Sequence, residues 1–94
     1  MTEELESSPL CDTCMTLEGV HEERLNQDKK WGLQDHDDGY WLAILTEELG
    51  EVATEIQNKD KQRLREELYQ VAAVAVAWIE ALDRKELERM KGLN

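Results

Sequence analysis

The feature that most constrains this chain is an apolar stripe in its C-terminal half. Leu64, Leu68, Val71, Ala75, Trp78 and Leu82 follow at spacings of four, three, four, three and four, the repeat that lays side chains along one face of an α-helix. Val74, Val76 and Ile79 widen that surface around much of the cylinder, so its middle must be covered on more than one side. A second stripe precedes it, made of Trp41, Leu45, Leu49, Val52 and Ile56. Between the two, Asn58-Lys59-Asp60 offers a turn in which Asp60 can cap the next helix. The pattern predicts a helical hairpin. One hairpin cannot hide a helix as apolar as Val71 to Ile79. The reading is therefore an all-α fold, a helical hairpin plus an N-terminal helix, assembling into a four-helix-bundle-type oligomer (homodimer or homotetramer).

The N-terminal helix is expected from Thr16, as N-cap, to about Lys30, ending at Trp31-Gly32, with Glu18 and Glu22 near the positive end of its dipole. Gly32 to Gly39 reads as a loop in which Asp37 or Asp38 caps the second helix. Arg84 to Gly92 reads as a short charged terminal helix or a frayed extension. Residues 1–15, with Ser7, Ser8, Pro9 and a Cys11-x-x-Cys14 pair, read as a flexible arm ahead of a domain at 16–94. A structural zinc site needs four ligands, and only His21 and His36 remain, at irregular spacing. A dimer could supply a second thiol pair, and the strand–helix setting of a redox pair is missing. The simplest reading is two free thiols.

Ninety-four residues make one domain with a thin core. Twenty-two acidic against eleven basic residues leave a formal charge of −11, which argues against nucleic acid and anionic membrane as partners, since phosphate contacts need clustered Lys and Arg. A phosphate-bearing substrate stays open if a divalent cation lies between the two sets of charge. No stretch of 18 apolar residues exists, and the acidic start lacks the apolar run of a signal peptide. A cytoplasmic location with reduced cysteines is expected.

The acids are placed in rows. Glu48, Glu51 and Glu55 line up at spacings of three and four, one residue out of step with the apolar stripe. On the next helix Arg63, Glu67 and Gln70 form a row beside Leu64, Leu68 and Val71. If the hairpin packs through its stripes, the two rows meet across a shared groove. A Glu row on an amphipathic helix is commonly a solvated face, and Arg63 with Glu67 an ordinary surface ion pair. Two such rows kept beside the core invite a compensating cation, because like charges so close oppose folding. Oxygen donors suit magnesium or manganese rather than zinc.

Glu48-Leu-Gly-Glu51, in the setting LTEELGEVATEI, resembles the E-x-x-E metal motif of the all-helical pyrophosphohydrolases, which include MazG, dimeric dUTPases and dCTP pyrophosphatases. Arg65-Glu-Glu-Leu-Tyr-Gln70 falls where that family has its second motif, E-x-x-D. His36, twelve residues before Glu48, is placed like the His upstream of E-x-x-E in the dCTP-directed branch. The resemblance to small stand-alone MazG-like proteins covers roughly residues 20 to 83. It implies magnesium-dependent hydrolysis of a nucleoside triphosphate to a nucleoside monophosphate and pyrophosphate, in nucleotide housecleaning or, in a phage, in shaping the nucleotide pool. Glu48, Glu51 and Glu67 would then be metal ligands and Glu47 or Glu66 the outer-shell base. Lys59, Lys61 and Arg63 would contact phosphate, and Trp31, His36 and Trp41 the base. Trp41 also fits the core, Trp78 more so, and His36 equally fits an exposed or capping role. Gln70 departs from the motif. Its carbonyl can ligate a hard cation but brings no charge, so either the branch tolerates the change or catalysis is weakened.

Two other functions fit the same residues. One is a module of this fold that binds nucleotide without turning it over. The other is a helical adaptor whose Trp-rich and Val/Ala-rich faces dock a partner.

Overall fold

The structure is a computed structural model and describes residues 11–92. The described residues form three helices: α1 (Asp12–Trp31), α2 (Asp38–Asn58) and α3 (Lys61–Lys91). No strand occurs among the described residues.

Each boundary has a local cause. Asp37 caps α2, its Oδ1 accepting the Tyr40 N–H at 2.8 Å, and Asp60 caps α3 through the Arg63 N–H at 3.0 Å. Gly32 ends α1 at φ 76°, a left-handed conformation open to glycine, while its N–H reaches the Asp28 carbonyl at 2.8 Å. The hairpin turn is only Lys59 and Asp60, and Lys59 takes a left-handed φ of 58°.

Two boundaries differ from expectation. α1 begins at Asp12, not Thr16, because the Cys11 sulfur takes the N-cap role and accepts the Cys14 N–H at 3.0 Å. Hydrogen bonding from the Cys14 side chain, and then from its backbone N–H, holds the Cys11 thiol below its ordinary value. Both cysteines are free and exposed, and they sit at a helix start rather than on an arm. The remainder of the expected arm, residues 1–10, lies outside the described residues. At the other end, Arg84 to Lys91 is no separate helix. It continues α3 without Gly or Pro, to a length of 31 residues, with Arg89 and Glu86 paired at 2.6 Å.

α3 is the spine, and α1 and α2 pack on it rather than on each other. Toward α2, Trp41, Val74 and Ala81 form the core, with Ile44, Leu45, Ala77 and Trp78 against them. The Trp78 indole N–H donates to Asp38 Oδ1 at 2.9 Å, pinning the start of α2. α1 is mostly polar, its Met15, Leu17, Leu25 and Trp31 are exposed, and Val20 is its one buried apolar residue. It crosses α3 where Gly19 leaves room for Tyr69; a Cβ at Gly19 would lie 2.6 Å from that ring. Arg24, 9 % exposed, bridges to Glu80 on α3 at 2.7 Å and to Asp28 at 3.1 Å.

The face that α2 turns to α3 is rotated from the predicted stripe. Trp41, Leu45 and Val52 point inward as expected, but Glu48 is half-buried and Glu55 buried, while Leu49 and Ile56 are exposed. On α3, Leu68 and Leu82 are likewise exposed. Its middle, from Gln70 to Trp78, is at least half-buried on every side, as its composition requires. The radius of gyration is 17.1 Å, against about 12 Å for a compact domain of this length. The three helices form an open slab 20 Å thick.

Candidate functional site

Because α1 and α2 flank α3 without touching, they leave between them a cleft of about 740 Å³. α2 contributes Glu47, Glu48 and Glu51, and α3 contributes Glu67 and Gln70 with the apolar Val74 and Ala77. α1 adds Glu23, Gln27 and Trp31, and the loop after it adds His36. Glu48 and Glu51 of one row and Glu67 and Gln70 of the other thus open onto one space.

At its centre, Glu48 and Glu67 approach closely enough to share a hydrogen bond. Two carboxylates in such contact need a proton or a cation between them. Burial, together with that bond and the charges of Glu67, Glu51 and Glu47, pushes the Glu48 carboxyl up to about 7. Among the described residues no three His, Cys, Asp or Glu side chains are drawn tightly enough together to hold an ion as they stand. Glu48, Glu51 and Glu67 nonetheless offer oxygen donors of the kind that a hard divalent cation takes.

Gln70 is engaged on both sides. Its amide donates to Glu23 Oε2 at 2.6 Å, and its carbonyl accepts from the Gln27 amide at 3.3 Å. Glu55, third in the acidic row, does not line the cleft. It is buried at 6 % exposure, and its Oε1 has no partner among the described residues. Of the two acids open for an outer-shell base, Glu47 lines the cleft and Glu66 does not; Glu66 accepts from Gln62 at 3.3 Å.

The other end of the cleft is aromatic. The His36 ring packs against Tyr40, centroids 4.4 Å apart, and edge-on to Trp41 at 5.0 Å. His36 is half-buried there and takes no capping role. Trp41 is core, 2 % exposed, and its indole N–H is unpartnered among the described residues. Trp31 is 62 % exposed, with the Lys30 ammonium 5.4 Å from its ring. Arg84 and Lys85 hold this end by donating to the Gln34 and His36 carbonyls at 2.9 and 3.3 Å. Lys59, Lys61 and Arg63 stand at the hairpin turn and do not line the cleft; its cations are Arg24, Lys30 and Arg84.

Sequence reasoning missed Glu23, Gln27 and Tyr40. The one signal for the first two was their spacing of four on α1, flanking Arg24. Tyr40 carried no periodic signal, since it stands beside the stripe.

Searches of curated proteins and of solved structures gave no match. The family model described as the MazG nucleotide pyrophosphohydrolase domain matches residues 39–90, more than half of the chain, and takes in α2 and α3 with the Glu48–Glu51 and Glu67–Gln70 pairs. The chain belongs to the MazG nucleotide pyrophosphohydrolase domain family.

Proposed function

We propose that this chain hydrolyses a nucleoside triphosphate to nucleoside monophosphate and pyrophosphate in the cleft between α1 and α2, with magnesium, or manganese in its place. The observation that carries the reading is the contact of Glu48 with Glu67, flanked by Glu51 and Glu47, inside the stretch that matches the family. Magnesium, when bound, supplies the positive charge that lets triphosphate oxygens lie among carboxylates and makes water a stronger nucleophile.

The chain's own residues do the rest. Glu48, Glu51 and Glu67 offer oxygen donors from two helices, so the donor set depends on the hairpin being closed. Glu47, exposed and lining the cleft, is in this reading the base that accepts the proton of the attacking water. From Tyr40 to Glu51, α2 rises about 16 Å, a span suited to a base among Trp31, His36 and Tyr40 with its phosphates at the acids. No described helix is long and apolar enough to cross a membrane, in keeping with a nucleotide-pool enzyme of the cytoplasm.

The active form is an oligomer in this reading. Leu49, Ile56, Leu68, Ile79 and Leu82, apolar side chains on both helices of the hairpin, are 45–59 % exposed. A second copy of the hairpin would cover them and complete a four-helix core. Sedimentation should return a dimer or tetramer.

A second reading, binding without turnover, rests on Gln70, which brings no charge where the motif has Asp. Pyrophosphate release over a panel of canonical and modified nucleotides, with magnesium or manganese, separates the two. Release from at least one nucleotide, abolished by Glu51→Ala and by Glu67→Gln, supports the enzyme. Magnesium-dependent affinity in calorimetry with no release from any nucleotide selects the binding module. Neither affinity nor release overturns both.

A further inference from the structure

Position 70 carries an amide where the resemblance to the family's E-x-x-D motif leads one to expect an acid, and that amide is not idle. It reaches from α3 to α1 and donates to Glu23 Oε2 at 2.6 Å, the short distance of a bond to a charged acceptor. Gln27 fixes the other face of the same amide, donating to its carbonyl at 3.3 Å. The amide is therefore oriented, nitrogen toward Glu23 and oxygen toward Gln27. Glu23 is half-buried and lines the cleft with Glu48, Glu51 and Glu67. Only Oε2 is held by Gln70, so Oε1 keeps its lone pairs for the cleft.

We propose that Glu23 supplies the carboxylate that the family motif places at position 70, with Gln70 as its positioning residue, so that α1 completes the oxygen-donor set for the divalent cation. The proposal rests on the cleft being a cation site, as argued above. An Asp at position 70 would bring its charge on α3. Gln70 instead recruits the charge from α1, a helix outside the matched stretch of 39–90. The donor count and the negative charge are kept, and closure of the site becomes dependent on α1 being docked. Gln70 is then no ligand itself, since its carbonyl faces Gln27.

The test is binding of manganese alone to the full chain, followed by calorimetry and by the manganese paramagnetic resonance signal, with no nucleotide and no turnover. Glu23→Gln keeps the shape and removes the charge; it should weaken manganese binding by at least about tenfold. Gln70→Ala frees Glu23 and should weaken it by roughly tenfold, the range seen for groups that orient a ligand. Glu22→Gln, a neighbouring exposed acid on α1, should change nothing. The decisive arm is Glu23→Gln combined with Gln70→Asp, which returns the charge to α3 and should restore binding. A structural role for Gln70 would not be rescued that way. If Glu23→Gln perturbs the helical circular dichroism, Glu23→Asp, which keeps the charge, must bind manganese more tightly than Glu23→Gln. Unchanged binding in Glu23→Gln while Glu67→Gln weakens it overturns the role of Glu23 alone. Unchanged binding in both overturns the cleft as a cation site.

Discussion

The carboxyl of Glu48 on α2 faces the carboxyl of Glu67 on α3, near enough for the two to share a hydrogen bond once a proton lies between them. Folding raises the Glu48 carboxyl from 4.5 to about 7, so between those values the folded chain holds a proton that the unfolded chain has released. Stability from this group is full below about pH 4.5 and is lost as pH rises through 7. In a chelating buffer, the melting temperature should fall between pH 5 and 8, and millimolar magnesium should flatten that fall by taking the proton's place. Glu67→Gln removes the charge that opposes ionisation of Glu48, and its melting temperature should depend less on pH over the same window. A fall of the same size in Glu67→Gln would assign it to the net charge of −11 instead.

Arg24 tests how α1 is held. Its guanidinium is enclosed, yet Glu80 and Asp28 are each nearly half exposed, so removing Arg24 leaves both acids hydrated rather than stranded. Arg24→Leu should cost on the order of 2 kcal/mol in urea unfolding, near the value of hydrogen bonds to a charged group. A buried pair broken from the acid's side of a sealed core would cost more. Hydrogen exchange of α1 amides should accelerate in this variant well before those of α3.

The hairpin was legible in the residues because its determinants are local. Asp37 and Asp60 announce their helices through short side chains that reach their own backbone, and Gly32 ends α1 because few other residues adopt its φ. The rotation of α2 was not legible. Glu48 and Leu49 are neighbours at the edge of the same stripe, and which of them faces inward is decided by how α2 docks on α3. The start of α1 escaped because a cysteine sulfur is an uncommon cap. Glu23 escaped for a stronger reason. Its partner is 47 residues away, and no periodicity within α1 records a bond to another helix. That Glu48, Glu51 and Glu67 share a cleft could be expected because both rows lie along regular helices that a short turn brings side by side.

Gly19 separates helix propensity from packing. Alanine there gains about 1 kcal/mol of propensity, but its Cβ would lie 2.6 Å from the half-buried Tyr69 ring, and overpacking of that kind costs about 1–3 kcal/mol. Gly19→Ala should therefore be neutral to destabilising by as much as about 2 kcal/mol. In a Tyr69→Ala background the clash is gone, and the same change should stabilise. The sign reversal, read from urea midpoints, is the measurement; equal effects in both backgrounds would mean that α1 does not cross α3 at this point.

The aromatic end of the cleft offers a clean separation of binding from chemistry. Trp31 is 62 % exposed and contributes little to the core, whereas Trp41 is 2 % exposed and belongs to it. Truncating Trp31 should leave the fold intact and remove whatever surface the nucleobase stacks on. Stacking of a base on an aromatic ring is worth about 1–3 kcal/mol. Trp31→Ala should thus raise KM by roughly 5-fold to 150-fold, with kcat held, because the stack is the same in ground and transition states. Trp41→Ala should instead lower the melting temperature and act on kcat and KM together. Lys61, at the hairpin turn and outside the cleft lining, sets the baseline, and Lys61→Ala should leave KM within about twofold. If Lys61→Ala raises KM and Trp31→Ala does not, the nucleotide lies the other way round, with its phosphates past Glu51 toward the turn and its base away from the aromatic residues.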